Sequence, residues 1–169
     1  MEGDGASSAL RIAEDSVSVR HAARPEHVDA HRTWLSTSGL DQIRTPGSLW
    51  KSRLDIFPNL SLLPRVEADL LGLDPVRLRQ AADRLAEMEL ATSGWDPAIT
   101  ATPRWMSKVT PESEQRKLLC IFQDIDGTRR SFDLHARFTP GPGRIHFRLD
   151  AATRKLVVAY IGRKIESRE

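Results

Sequence analysis

Phe132-Asp133-Leu134-His135-Ala136-Arg137-Phe138 and Arg144-Ile145-His146-Phe147-Arg148-Leu149 decide how the last third of this chain folds. In both stretches apolar and polar residues alternate, and successive strand residues point to opposite faces of a sheet. Phe132, Leu134, Ala136, Phe138, Ile145, Phe147 and Leu149 are expected to face a core. Asp133, His135, Arg137, Arg144, His146 and Arg148 are expected to share the outward face. If Thr139-Pro140-Gly141-Pro142 is a four-residue hairpin loop, Phe138 pairs with Gly143 and the register follows. Leu134 then meets Phe147, His135 meets His146, Asp133 meets Arg148, and Arg137 meets Arg144. Like charges directly opposite destabilise a sheet, and an anion between Arg137 and Arg144 relieves the repulsion. Phosphate is the chemistry this suggests.

Working backwards, Asp126-Gly127 is a hairpin signal between Lys117–Gln123 and Arg130–Phe138. Taken as a two-residue turn, it sets Leu119 against Leu134 and Ile121 against Phe132, on the same apolar face. The closing strand, Lys155–Ile161, is apolar on both faces, so two registers stay open. One sends Tyr160 into the core, and the other sets it near His146.

Ahead of the sheet, Asn59–Leu63 is a short strand candidate, and Pro64 opens a helix over Val66–Leu71 that closes near Gly72. Asp74 as N-cap and Pro75 at the first helical position start a longer helix. Leu78, Ala81, Ala82, Leu85 and Met88 form its apolar stripe, and it stops before Gly94. Trp95–Glu114 reads as irregular chain, with Trp95 and Trp105 as anchors over a core. The chain divides on this reading into an N-terminal extension, residues 1–56, and an α+β domain, residues 57–169. Within the extension, residues 1–24 are expected to be loosely ordered, Pro25–Ser38 to form one short helix, and Asp41–Lys51 to be a connector.

Composition narrows the function classes. No apolar run spans a bilayer, and the N-terminus lacks the basic and apolar regions of a secretory signal, so the cytoplasm is the expected location. Cys120 is the single cysteine and sits in an apolar run, which excludes an internal disulfide or a cysteine-based zinc site. His135 and His146 are an incomplete ligand set beside arginines, so neither metal nor cofactor is expected. Net charge is only +2, but from Arg116 onward twelve Lys/Arg face six Asp/Glu, whereas residues 57–115 carry six against nine. The sheet region is the electropositive part, as nucleic-acid contact requires, or else a solvated face in an arginine-rich chain.

The order of elements, short strand, helix pair, antiparallel meander and basic tail, resembles the RelE/ParE toxin superfamily. The residues that carry the likeness are Leu62-Leu63-Pro64-Arg65-Val66-Glu67-Ala68-Asp69-Leu70 with Leu73-Asp74-Pro75, then Arg144–Asp150, and Val157–Lys164. The resemblance implies two helices packed on one face of a four-stranded antiparallel sheet, with the other face concave. It also implies RNA or ribosome-associated mRNA as partner, possible metal-independent endoribonuclease activity, and a protein neutraliser of antitoxin type. Catalytically silent relatives that bind nucleic acid or a protein through the same face are the alternative. By position, His135, His146 and Arg148 fall where acid, base and clamp belong, and Arg137, Arg144, Arg163 and Lys164 where a nucleic-acid backbone lies. The tail Ile165–Glu169 lacks the aromatic or histidine that many such toxins carry there, and Tyr160 is the only tyrosine.

Overall fold

The computed structural model describes residues 39–139 and 141–166, together with Arg24. The expectations for the rest of residues 1–24 and for Pro25–Ser38 lie outside the described residues. The chain enters through a 3-10 turn, Gly39–Gln42, and helix α1, Pro46–Ile56. The expected connector is thus mostly helical. Thr45 caps α1, its hydroxyl accepting from the Ser48 amide at 3.1 Å while the Ser48 hydroxyl accepts from the Thr45 amide at 3.2 Å. Leu40 and Leu49 are fully buried, so core packing begins upstream of Phe57.

Strand β1 spans Leu60–Leu62, helix α2 Val66–Leu71 and helix α3 Pro75–Ser93. Asp74 caps α3 through the Arg77 amide at 2.9 Å, and the expected stripe of Leu78, Ala81, Ala82, Leu85 and Met88 is buried. Glu89 of α3 accepts from the Asn59 amide at 2.9 Å, which ties the start of β1 to the helix. Strand β2, Val109–Pro111, emerges from the stretch expected to be irregular. Trp95 donates to the Thr100 carbonyl at 2.9 Å, and Trp105 meets Phe147 edge-on at 5.5 Å, both as anchors.

Strands β5, Leu134–Phe138, β6, Gly143–Asp150, and β7, Lys155–Arg163, complete a sheet in the order β1-β7-β6-β5-β2. The protein is α+β, and the sheet is mixed and five-stranded rather than four-stranded and antiparallel. β1 runs parallel to β7, and β2 adds an antiparallel edge to β5. Helix α3 lies across β1, β5, β6 and β7, and α2 lies against β7.

The hairpin of β5 and β6 has the register expected of it: Leu134 pairs with Phe147, His135 with His146, Arg137 with Arg144, and Phe138 with Gly143. The pairing Asp133–Arg148 does not form, because β5 begins one residue later. The two registers open for β7 are both used. A bulge lies between His146 and Phe147: His146 pairs with Tyr160, whereas Phe147 pairs with Val158, leaving Ala159 as the extra residue. Tyr160 therefore stands beside His146. Beyond Leu63, where β1 has ended, α2 and its N-cap residue Arg65 supply the partners for the outer edge of β7. Arg65 donates to the Ala159 carbonyl at 2.8 Å, and the Ile161 amide donates to Asp69 at 3.1 Å.

The segment between β2 and β5 departs most from expectation. It contains helix α4, Glu114–Lys117, a 3-10 turn, Leu118–Cys120, and strands β3, Ile121–Gln123, and β4, Arg129–Ser131. Among the described residues β3 and β4 pair only with each other, as a separate ribbon. Its register is Ile121 with Ser131 and Gln123 with Arg129, one residue away from that of a two-residue turn. The loop holds three residues instead: the Asp124 amide donates to Thr128, the Gly127 amide donates to Asp124, and Gly127 has φ +80°. A tight turn followed by a left-handed glycine is the usual three-residue hairpin loop, and it moves the register by one.

Candidate nucleic-acid interface

Helices cover one face of the sheet. The opposite face carries Arg137, Arg144, His135, His146, Tyr160 and Arg148, as the alternation requires. Across four strands, Thr110, His135, His146 and Tyr160 form one row. That face is not open. The segment 112–133 folds back over it as a roof, leaving His146 fully buried and His135 and Arg144 only 6% and 8% exposed. The expectation that these three side chains face solvent is overturned. A period of two settles which face a residue takes; it says nothing of what later covers that face.

Each buried group is held locally. His146 Nδ1 is 3.3 Å from the Phe132 carbonyl and 3.5 Å from Cys120 Sγ. Donation to the carbonyl fixes the tautomer and leaves Nε2 as a buried lone pair without a partner. Burial pushes the pKa of His146 down to about 4, and His135 beside it pushes in the same direction. Its ring lies 5.6 Å from that of His135 and 5.8 Å from Tyr160. His135 shares a hydrogen bond of 3.2 Å with Thr110, and its Nδ1 is 3.6 Å from Glu112. Burial lowers the pKa of His135; Glu112 opposes this, and Arg144, Arg137 and Arg116 add to it. For Glu112 burial acts to raise the pKa, but the Arg116 hydrogen bond and His135 outweigh it and the net shift is down. Cys120 is buried, as its apolar run implies, and burial raises its thiol to about 11, so it is no nucleophile.

The cations divide into two groups. Arg148 is committed to the roof: Nε and Nη2 reach Asp124 at 2.8 and 2.7 Å, and Nη1 lies 3.8 Å from Asp150. It takes Asp124 where the strand pattern offered Asp133, which lies 3.6 Å from Lys117 instead. Arg144 donates to the carbonyl of its neighbour Gly143 at 3.1 Å, and its Nε has no partner. Its pKa is lowered by burial and then by Arg137. At the β5–β6 turn, Arg137, Arg163 and Lys164 are exposed. None of these three makes an ion pair among the described residues. The structure brings them to one end of the sheet, since Arg137 pairs with Arg144, Arg163 with Gly143, and the Lys164 amide donates to Pro142 at 2.9 Å.

Sequence reasoning missed Glu112, Arg116, Thr110 and Asp124, which partner the row or close it. Asp124 carried a signal, a carboxylate three residues ahead of a turn glycine. The others sit in chain with no legible period. The described residues hold no cluster of His, Cys, Asp and Glu able to bind a metal ion, and no helix among them is long and apolar enough to cross a membrane. Comparison with known proteins supplies no relative: no family model, no curated protein and no solved structure matches this chain.

Proposed function

We propose that this chain is a RelE/ParE-like protein of toxin–antitoxin or defence type that binds RNA through the basic end of its sheet without cleaving it in the closed form. One observation carries the reading: Arg137, Arg163 and Lys164 lie exposed around one end of the sheet, without acidic partners among the described residues, and Arg137 belongs to the Arg137–Arg144 like-charge pair. An anionic polymer is the ligand that relieves such a concentration of charge. The order of short parallel strand, helix pair and antiparallel strands supports the RelE/ParE-like part. The fifth strand and the roof are this chain's departures from that plan.

Cleavage by the RNA 2′-hydroxyl needs a base within about 3 Å of the hydroxyl and a pKa near neutrality. His146 meets neither condition beneath the roof, being fully buried with its pKa near 4. RNA incubated with the protein should therefore stay intact while it binds. The test is affinity for a labelled single-stranded RNA across a salt series. A slope of about −2 in log affinity against log salt fits three cations on single strands. Arg137→Ala, Arg163→Ala and Lys164→Ala should each flatten it by about 0.7. No binding at low salt, or a slope that all three substitutions leave unchanged, removes the proposal. New 5′ ends in the RNA restore the ribonuclease reading.

A further inference from the structure

The roof differs from the rest of the molecule in how it is attached. Its two strands share no ladder with the main sheet, and an isolated two-stranded hairpin is marginally stable in water. Side chains hold it down instead. Asp124 receives Arg148 at 2.7 Å from β6 and Arg130 at 3.0 Å from β4. Arg116 pairs with Glu112 at 3.0 Å and donates to the Ile165 carbonyl. Phe122 stacks along Tyr160 of β7 at 6.2 Å, with the Arg65 guanidinium 4.5 Å from its ring.

What the roof covers is poorly satisfied. Nδ1 of His135, Nε2 of His146 and Nε of Arg144 are buried with no hydrogen-bond partner among the described residues, and all three belong to one patch of β5 and β6. Three arginines, Arg116, Arg137 and Arg144, act on His135, against a single opposing carboxylate, Glu112. The roof gives His146 the Phe132 carbonyl and sets Glu112 3.6 Å from His135, yet it leaves those three polar atoms unmatched, and a buried polar atom without a partner is costly. The ribbon is fastened to the sheet through side chains, chiefly Asp124, Arg116 and Phe122, rather than through a shared ladder. These are the properties of a cover that opens as a unit.

We propose that segment 112–133 is a gate, and that the patch beneath it, Arg144 with His135 and His146, takes an RNA phosphodiester once the gate has swung off the sheet. The opened patch offers an arginine fork and two imidazoles to phosphate oxygens. Only the choice of ligand rests on the RNA reading; the gate itself does not.

Cys120, the single cysteine, lies fully buried on the underside of the roof and reports opening directly. In the wild type, thiol labelling in low urea should depend on urea less steeply than global unfolding does. Equal dependence would mean that Cys120 is reached only through global unfolding, which overturns the gate. Asp124→Asn and Arg116→Ala, each removing one fastening, should speed labelling at least tenfold while keeping a cooperative thermal transition. Unchanged labelling in both overturns it as well, and the wild-type urea series decides should either variant fail to fold. A fluorescein-labelled poly(U) oligomer should bind Asp124→Asn more tightly than wild type, and adding Arg144→Ala should remove the gain. Faster labelling without tighter poly(U) binding overturns the phosphodiester assignment. It leaves the exposed cations Arg137, Arg163 and Lys164 to be judged by their own salt series.

Discussion

Strand β6 serves two interiors made on different terms. Ile145 and Phe147 enter the helix-covered side with Leu85, Met88, Leu156 and Val158, all buried at 3% exposure or less. Arg144, His146 and Arg148 enter the roof-covered side with His135, Tyr160 and Glu112. The first interior draws on apolar area, which is non-directional and contributes about 25 cal/mol per Å². The second needs each polar atom matched, and a buried polar atom left unmatched costs about 1–3 kcal/mol. One side can be assembled from residues that are apolar and of the right size. The other closes only if a distant carboxylate, Asp124, arrives at Arg148.

The sharpest way to break this contrast is from the helix side. Phe147→Ala should cost about 3–5 kcal/mol in urea unfolding, the range for deleting a buried aromatic ring. A loss below about 1 kcal/mol would show that the helix-covered interior is not the main source of stability.

Acid should act on the roof side first. The groups facing His146 are Arg144 on its own strand, His135 on β5, Tyr160 on β7, and Glu112, Cys120 and the Phe132 carbonyl from the roof. Its pKa of about 4 lies below the unfolded value, so its contribution is complete above pH ~6.5 and is lost as pH falls towards 4. The lowered pKa of Glu112 works in the same sense at the acid end. A difference of roughly two and a half pKa units corresponds to about 3 kcal/mol. Thermal melts between pH 7 and pH 4 should show the decline, and His146→Leu should flatten it; a parallel decline in the variant would clear His146 of the effect.

Asp124→Ala ranks next. It strands Arg148 and Arg130 and should cost about 2 kcal/mol, less than a fully buried pair because Arg148 is partly exposed. Amide exchange should quicken at Phe122 and Phe132 and stay unchanged at Leu85 and Met88; uniform quickening would argue against a separable roof. The smallest effect belongs to Gly127→Ala. Its φ of +80° disfavours a Cβ, and a loss of about 1 kcal/mol should appear in the roof's exchange rates alone.

Much of the main sheet could be read from local pattern. Asp74-Pro75 marks the start of α3, and Gly72 and Gly94 mark helix ends, because caps and breakers act within a few residues. The β5–β6 register follows from the loop length and the alternation, both local quantities. The first hairpin differs from the two-residue expectation because Asp126-Gly127 is compatible with two loop lengths, and the longer one places Gly127 alone of its residues in the left-handed region. β2 was missed since three residues carrying Pro111 show no usable alternation. Phe132 looked like a member of the helix-facing set. It lies in the break between β4 and β5 and packs edge-on against Phe122 at 5.9 Å.

The same division holds at the candidate site. Local order by itself determined which residues share the second face of β5 and β6, that Arg137 opposes Arg144, and that the C-terminal part is the basic one. Alternation and charge count need no knowledge of distant chain. Only the tertiary structure decided that His135, Arg144 and His146 are covered, that Arg148 belongs to Asp124, and that Tyr160 stands by His146. Those outcomes depend on a roof anchored from residues far away along the chain and on a single bulge at Ala159. Burial, ion pairing and the resulting pKa shifts arise between segments, so no local period encodes them.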